Sequence, residues 1–258
     1  MSTGPFPAIA HLQYRAVATH EYLVLANQLD CPTGEETLTD NNLIELMRQQ
    51  FPNLVIYKAR GDDEPTKGFD WEWYIGNDNT GWRRYAVQAK KLNLKTNKYD
   101  HLRHPVNGVF QIDVLDDFAR SQRSTPLYCF YNAASAAQEQ QHWHCNRPFA
   151  HKQLGCSLAP LQVIKPIHDT LYIKRTFELI HQDPRALPWH CILCPQHDNT
   201  MPDPFAPDGY EPDILPELPA FLRGTDGPIA VIGLPADLYA SRLGGRPRHI
   251  VVINTNQG

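Results

Sequence analysis

Two nearby segments of the chain each carry a pair of polar residues at two-residue spacing. Asp70 and Glu72 alternate with aromatic residues, and Gln88 and Lys90 alternate with small apolar residues. This alternation is typical of β-strands, in which side chains two residues apart share a face. Carboxylate and amide oxygens suit a hard divalent cation, and a lysine can offset charge that develops on a phosphate. The pattern therefore indicates metal-assisted phosphodiester hydrolysis.

These two segments are predicted to form an antiparallel hairpin. The sequence between them, Gly76-Asn-Asp-Asn-Thr-Gly81, has the composition of a turn. A pairing centred on Asn79 sets Asp70 opposite Gln88, and directly opposed residues share a face. We expect one face of the hairpin to be apolar and packed inward, and the other to display the polar set.

The arrangement resembles the PD-(D/E)XK nuclease superfamily, in the Mrr-like variant in which a glutamine replaces the second acid. The matching residues are Asp70 in the sequence KGFD and Gln88 and Lys90 in QAK. The segments GEETLTDNNL, KGFDWEWYIG, VQAKKL and PLYCFYN also resemble an uncharacterised family of bacterial proteins associated with such cores. The resemblance covers residues 30–135.

The resemblance implies an α/β fold with a restriction-endonuclease-like core: a helix, a mixed sheet that bears the antiparallel hairpin, and a second helix. It implies a nuclease dependent on Mg2+ or Mn2+, acting on DNA rather than RNA, with a role in defence against foreign DNA. The metal ligands would be Asp70, Gln88 and an acid of the first core helix, for which Glu36 is the first candidate and Glu35 the second. Lys90 would be catalytic, whereas Glu72 is either a further ligand or a solvated strand residue.

Charge is distributed unevenly along a chain whose formal net charge is −4. Residues 83–104 hold seven Lys and Arg against one Asp, whereas residues 195–217 hold six acids and no Lys or Arg. Binding of nucleic-acid phosphates favours basic surface. The candidate contacts to nucleic acid are Arg83, Arg84, Lys91, Lys95, Lys98 and Gln111.

Hydrophobic periodicity and breakers predict three regions: an N-terminal helix (1–29), the nuclease core (30–141) and a loop-rich C-terminal half (142–258) rich in Cys, His and Pro. Within them we expect helices at 8–28, from Thr39 or Asp40 to Phe51, at 109–120 and at 133–141. Strands are expected at 54–57, 126–131, 229–233 and 249–253. Segments 161–164 and 170–179 fit either a helix or a strand.

The six cysteines fall in a chain that shows no signal-peptide pattern, so we expect a cytoplasmic protein with reduced thiols or metal ligands, and no membrane partner. Cys191 and Cys194 have the spacing of half a zinc site. Cys145 and Cys156 are the candidate second half. The alternative is that these thiols are small buried hydrophobic groups.

Two other functions fit the sequence. The first is a non-catalytic nucleic-acid-binding or interaction module on the same fold, which would not need both Asp70 and Lys90. The second is an interaction protein stabilised by zinc in its C-terminal half. The polar residues of the hairpin could also be ordinary residues of a half-exposed surface. The oligomeric state stays open, and a homodimer is compatible with the sequence.

Overall fold

A computed structural model describes residues 7–59, 69–106, 108–134, 150–194, 203–206, 212–223, 229–232 and 247–255. Its helices are α1 (Pro7–Gln28), α2 (Glu35–Arg48), α3 (Gln111–Gln122), α4 (Leu161–Asp169) and α5 (Phe177–His181). Short 3-10 turns occupy His151–Gly155, Trp189–Leu193 and Ala220–Leu222. None of the helices in these ranges is long and apolar enough to cross a membrane.

The strands of the described residues follow in chain order. They are β1 (Leu54–Ala59), β2 (Trp71–Asn77), β3 (Gly81–Lys91), β4 (Pro105–Val106), β5 (Val109–Phe110), β6 (Thr125–Tyr131), β7 (Cys156–Pro160), β8 (Leu187–Pro188), β9 (Ile214–Leu215), β10 (Ile229–Ile232) and β11 (His249–Asn254). Helices and a mixed sheet together make an α/β protein, as the sequence predicts.

The chain divides into two compact units. The first comprises residues 1–42, 89–103 and 128–206, and the second comprises residues 43–88, 104–127 and 207–258. Strands β3 and β6 each contribute residues to both. The sequence divides the chain differently, into three consecutive regions, because hydrophobic periodicity reports local structure and not which distant segments pack together.

The second unit contains a sheet in the order β10, β1, β11, β2, β3 and β6, with β9 beside the start of β3. Strand β1 is parallel to β10 and antiparallel to β11, and β11 is parallel to β2. The predicted C-terminal strands are thus confirmed, but they do not belong to a separate loop-rich half. Strand β11 inserts between β1 and β2.

The hairpin of β2 and β3 has the predicted register. Trp71 pairs with Val87 and Asn77 with Gly81, so the pairing is centred on Asn79. The side-chain oxygen of Asn77 accepts hydrogen bonds from the backbone N–H groups of Asn79 and Thr80, at 2.8 and 2.9 Å. This local bonding closes the turn in the way that asparagine favours.

The hairpin differs from the prediction in its burial, because both of its faces are covered. All seven residues of β2 are buried, including Glu72, which is 0% exposed. On the face of Glu72, Arg84 lies over the ring of Phe118 from helix α3, at 5.2 Å. Alternation of polar and apolar residues therefore does not mark an open face here, since the polar side chains are satisfied by one another.

Helix α2 begins at Glu35, earlier than the predicted start at Thr39 or Asp40. Glu35 and Glu36 occupy its first turn, where negative charge is favourable. The Thr39 hydroxyl donates to the carbonyl of Glu35 at 3.1 Å, so this residue lies inside the helix. The predicted helices at 8–28 and 109–120 and the strands at 54–57 and 126–131 are confirmed with shifted ends. The predicted helix at 133–141 lies mostly outside the described residues.

The first unit is held by close backbone contacts and by a buried polar network. A Cβ on Gly155 would lie 2.0 Å from the carbonyl oxygen of Ala16, so helix α1 can approach only a glycine there. Ser157 on β7 bonds to Nε2 of His181 at 2.8 Å, and Nδ1 of His181 bonds to the carbonyl of Phe177 at 2.9 Å. Since a carbonyl only accepts, Nδ1 carries the proton and Nε2 accepts from Ser157.

This network predicts a pH-dependent stability. Burial lowers the pKa of His181 to about 4, against about 6.5 in an unfolded chain. Because only the unfolded chain takes up the proton between these values, the free energy of unfolding should fall as pH falls from about 6.5 to about 4, by on the order of 3 kcal/mol. Above pH 6.5 this contribution should stay constant.

The measurement is urea unfolding of the wild type and of His181→Gln across this range. Glutamine can still accept from Ser157 but does not titrate, and the titration of other groups cancels in the comparison. The stability of the wild type relative to the variant should decline as pH falls through the range. A difference that is the same at every pH would contradict the assignment.

Candidate active site on strand β3

Asp70 and Gln88 meet across the hairpin in the second unit. Nε2 of Gln88 donates to Oδ2 of Asp70 at 2.7 Å. The backbone of Asp70 is held on both sides, since its N–H donates to the carbonyl of Val87 at 2.8 Å and its carbonyl accepts from the N–H of Arg248 at 2.9 Å. Asp70 is partly exposed and Gln88 is buried. The register therefore brings these two predicted residues together.

Lys90 and Glu35 form an ion pair in the first unit. Nζ of Lys90 lies 3.7 Å from Oε2 of Glu35, and the other carboxylate oxygen of Glu35 accepts from the backbone N–H of Lys91 at 3.1 Å. Lys90 is 3% exposed. Nζ of Lys91 bonds to the carbonyl of Thr33, just before helix α2. The start of α2 is thus attached to the end of β3.

The acid that approaches Lys90 is Glu35, which the sequence ranks second. Glu36, the first candidate, is exposed in the first turn of α2. Adjacent residues of a helix point about 100° apart, so the rotation of α2 about its own axis decides which acid turns toward the strand. A start at Thr39 would have left both residues in a loop, and spacing alone cannot rank them.

Glu72 and Arg84 form a buried ion pair in the second unit. Nε of Arg84 donates to Oε1 of Glu72 at 2.6 Å, and Nη1 donates to Oε1 of Gln122 at 3.2 Å. The guanidinium also lies 5.5 Å from the ring centroid of Tyr74, where burial raises the pKa of the phenol. The pair gives Glu72 and Arg84 a role in the core, and Arg84 presents no open surface to a phosphate.

The other predicted contacts to nucleic acid lie in different settings. Arg83 is partly exposed and pairs in register with Ile214 of β9, and Gln111 is the first residue of α3. Lys95 is exposed and forms an ion pair with Asp30 at 2.8 Å. The backbone of Lys98 bridges to Asn93 and to Thr176. Whether these residues touch a nucleic acid stays a prediction.

A cavity of about 310 Å3 opens in the first unit beside Glu35 and Lys91. Its wall includes the C-terminal end of α1 and the segment after β3. The polar and charged lining residues are Asn27, Asp30, Thr33, Glu35, Lys91, Asn93, Lys95, Asp100 and His101. The space and its mixed polar lining suit a small charged group rather than an apolar ligand.

The predicted zinc ligands are only partly described, because Cys145 lies outside the described residues. Cys156 is buried and accepts from the amide of Asn42 at 3.7 Å, and burial raises its pKa to about 12, which disfavours the thiolate that a metal binds. Cys191 and Cys194 are both buried. Sγ of Cys191 lies 3.9 Å from Nε2 of His190, and Sγ of Cys194 donates to the carbonyl of His190 at 3.7 Å. Across the described ranges, no three His, Cys, Asp or Glu side chains are grouped to hold a metal ion. The zinc site stays a prediction.

The sequence matches the profile of DUF6615, described as a family of unknown function, over residues 9–241. The chain belongs to the DUF6615 family. No curated protein and no solved structure matches it. The match spans both compact units, so the family is defined by nearly the whole chain and not by the hairpin alone. The resemblance to PD-(D/E)XK nucleases stays a prediction.

The burial of Glu72 predicts a large loss of stability when its partner is left alone. In Glu72→Ala the Arg84 guanidinium would stay in the core without its carboxylate, and breaking a buried pair in this way costs about 3–5 kcal/mol. Glu36→Ala, at an exposed position of α2, should change the free energy of unfolding by no more than about 0.5 kcal/mol.

Chemical denaturation of both variants and of the double variant Glu72→Leu/Arg84→Met checks this. The double variant should recover much of the loss, because it removes both charges together. A Glu72→Ala protein as stable as the wild type would show that Glu72 has no core role and could serve the site instead.

Proposed function

We propose that the DUF6615 chain is a divalent-metal-dependent nuclease of the restriction-endonuclease-like type, with its active site on the face of β3 that carries Gln88 and Lys90. The observation that carries the proposal is the cross-strand contact of 2.7 Å between Gln88 and Asp70. It supports the proposal because the chemistry requires this register, and a slip of one residue would turn Asp70 to the opposite face.

Continuity of the strand supports the second half of the site. Gln88 and Lys90 are two residues apart on β3, so their side chains leave the strand on one face. Asp70 bonds to the first of them and Glu35 pairs with the second. We propose that Lys90 and the bonded pair of Gln88 and Asp70 act on a phosphodiester from this one face of β3.

The donor set fits Mg2+ or Mn2+. Asp70 supplies a carboxylate, and Gln88 can supply its amide oxygen, because its nitrogen is the atom that bonds to Asp70. Mg2+ is held through one or two carboxylates and keeps several waters, so a cluster of three acids is not required. When bound, such an ion polarises the phosphate and lowers the pKa of its water.

Each side chain has a separate role in the proposed reaction. Gln88 holds the Asp70 carboxylate in one orientation through its N–H. Glu35 holds the Lys90 ammonium, which would stabilise negative charge that builds on the phosphate oxygens in the transition state. The ammonium is almost completely buried, and reduced solvation strengthens its interaction with that charge.

DNA is the proposed substrate, and defence against foreign DNA is the proposed biological role. The segment 89–103 after the hairpin holds Lys90, Lys91, Lys95, Lys98 and Arg103 against Asp100. The cavity beside Glu35 and Lys91 has room for a phosphate and part of a nucleotide. A non-catalytic binding module on the same fold is the alternative that the experiment below separates.

Lys90→Met should lower cleavage about 10²–10³-fold, since this is the typical effect of removing one group that stabilises transition-state charge. Methionine keeps the buried stem of the side chain, so the fold should be retained. The matched control is Lys58→Met, at an exposed position on β1. It should cleave at the wild-type rate.

The assay incubates plasmid and single-stranded circular DNA with the protein in EDTA, Mg2+ or Mn2+. Asp70→Ala should also lose activity, and higher metal concentrations should restore part of it, because this substitution weakens metal binding. Lys90→Met should not respond to metal. Equal cleavage by a well-folded Lys90→Met protein and the wild type would refute the catalytic site, and DNA binding without cleavage by the wild type would favour the binding module.

A further inference from the structure

The loop between α4 and α5 presents an aromatic side chain to solvent in an unusual conformation. We define the Tyr172 loop as residues 170–175. Tyr172 is 98% exposed and has φ +63°, and Leu171 beside it is 57% exposed. Residues other than glycine rarely adopt positive φ, and bulky residues do so least of all. A strained backbone of this kind persists only where the surrounding structure imposes it.

Both ends of the Tyr172 loop are tied to the first unit. The N–H and hydroxyl of Thr170 donate to the carbonyl of Pro166, at 3.2 and 2.8 Å. Nη2 of Arg175 donates to the carbonyls of His168 and Thr170, both at 3.2 Å, and the carbonyl of Arg175 accepts from the N–H of Tyr99 at 2.8 Å. The loop is therefore anchored at both ends, and it holds the phenol of Tyr172 in solvent.

Basic residues are frequent in the two stretches that meet at this loop, which together we call the patch. The stretches 97–103 and 165–178 together carry five Lys and Arg, namely Lys98, Arg103, Lys165, Lys174 and Arg175. They carry three acids, namely Asp100, Asp169 and Glu178. The patch has a net positive charge in a chain whose overall charge is −4.

The three acids of the patch are already engaged by neighbours. Asp169 bonds to Nδ1 of His168 at 2.8 Å, and this bond, together with Lys165 and Arg103, lowers the pKa of its carboxyl. Asp100 and Glu178 accept from the amides of Asn93 and Asn97. Burial and then repulsion from Arg103 lower the pKa of Arg175, and an anion bound nearby would relieve that repulsion.

The Tyr172 loop is continuous with the segment that follows the proposed catalytic lysine. Lys98 bridges through its backbone to Asn93 on one side and to Thr176 on the other. The segment that follows Lys90 therefore contacts the end of the loop through its backbone, and both lie within the first unit.

We infer that the Tyr172 loop binds single-stranded nucleic acid, with Tyr172 stacking on an unpaired base and the cations around it contacting the adjoining phosphates. An exposed ring among basic side chains has the chemistry of single-strand binding, because every base offers a π-face to stack on. Bases in a duplex already stack on one another and cannot accept this ring. Two exposed apolar side chains are also too small an area for a stable protein interface. The inference rests on the proposed function, since it takes the substrate to be a nucleic acid.

The test measures binding, without cleavage, by fluorescence anisotropy in EDTA. The probes are a labelled oligothymidylate of about 12 nucleotides and a duplex of the same length. Tyr172→Ala and Tyr172→Gly should both weaken binding of the single strand about 5- to 100-fold, since stacking on one base accounts for an effect of this size. Tyr172→Trp should bind at least as tightly as the wild type.

The choice of variants separates stacking from folding. Glycine accepts positive φ without strain, so Tyr172→Gly keeps the loop conformation while it removes the ring. Tyr14→Ala is the matched control, because Tyr14 is a 62%-exposed tyrosine of the same unit and its loss should not change binding. Lys174→Ala should reduce the salt dependence of binding by a slope of about 0.7, the value for one phosphate contact on a single strand.

Unchanged single-strand affinity in both Tyr172→Ala and Tyr172→Gly would overturn the inference, and so would an equal loss of duplex and single-strand binding. Altered self-association of these variants, with unchanged nucleic-acid binding, would reassign the loop to protein docking. Cleavage of single-stranded DNA that depends on Lys90 but not on Tyr172 would refute this inference and leave the proposed nuclease standing. Tyr172-dependent binding without cleavage by the wild type would refute the proposed nuclease alone.

Discussion

The register of the β2–β3 hairpin is the constraint on which the candidate site and much of the second unit depend. Side chains alternate between the faces of a strand, so a shift of one residue would exchange the two faces completely. In the observed register Glu72 and Arg84 share a face with Asp70 and Gln88. The turn enforces this pairing: Gly81 has φ +85°, and a Cβ there would lie 2.2 Å from the side chain of Ile214.

The polar face of the hairpin buries charge in two different ways. Arg84 and Glu72 lie inside the core, where the guanidinium makes further contacts to an amide and to aromatic rings. The two charges of this pair compensate each other, and the loss of one partner would leave the other as a bare charge. Lys90 is equally buried but its partner Glu35 is not, since the Glu35 side chain is partly exposed. The second pair therefore lies where solvent, a cation or a phosphate can compete with it.

Local features of the sequence predict the fold well where one segment contains the whole signal. The turn residues Asn77 to Gly81 specify the hairpin, and the contact between Asp70 and Gln88 follows from counting outward from Asn79. The insertion of β11 between β1 and β2 could not be predicted, because nothing in residues 249–254 identifies their partners. The burial of Glu72 could not be predicted either, since an alternating strand reads the same whether its polar face meets water or Arg84. The choice between Glu35 and Glu36 depends on the rotation of α2 against β3, which is a matter of tertiary packing that the sequence around the two acids does not specify.

A glutamine at position 88 has a consequence for how the proposed site would work. A carboxylate there would lie against Asp70, and two like charges in contact hold one of them protonated until a cation arrives. The Gln88 amide instead donates to Asp70, so the aspartate is oriented without a metal. The glutamine therefore gives the site one negative charge fewer than a carboxylate at position 88 would give. Under the proposed function the protein alone would bind Mg2+ weakly, because affinity depends on the charge of the ligands. A substrate phosphate supplies the missing charge, so metal and nucleic acid should bind the site together rather than in sequence.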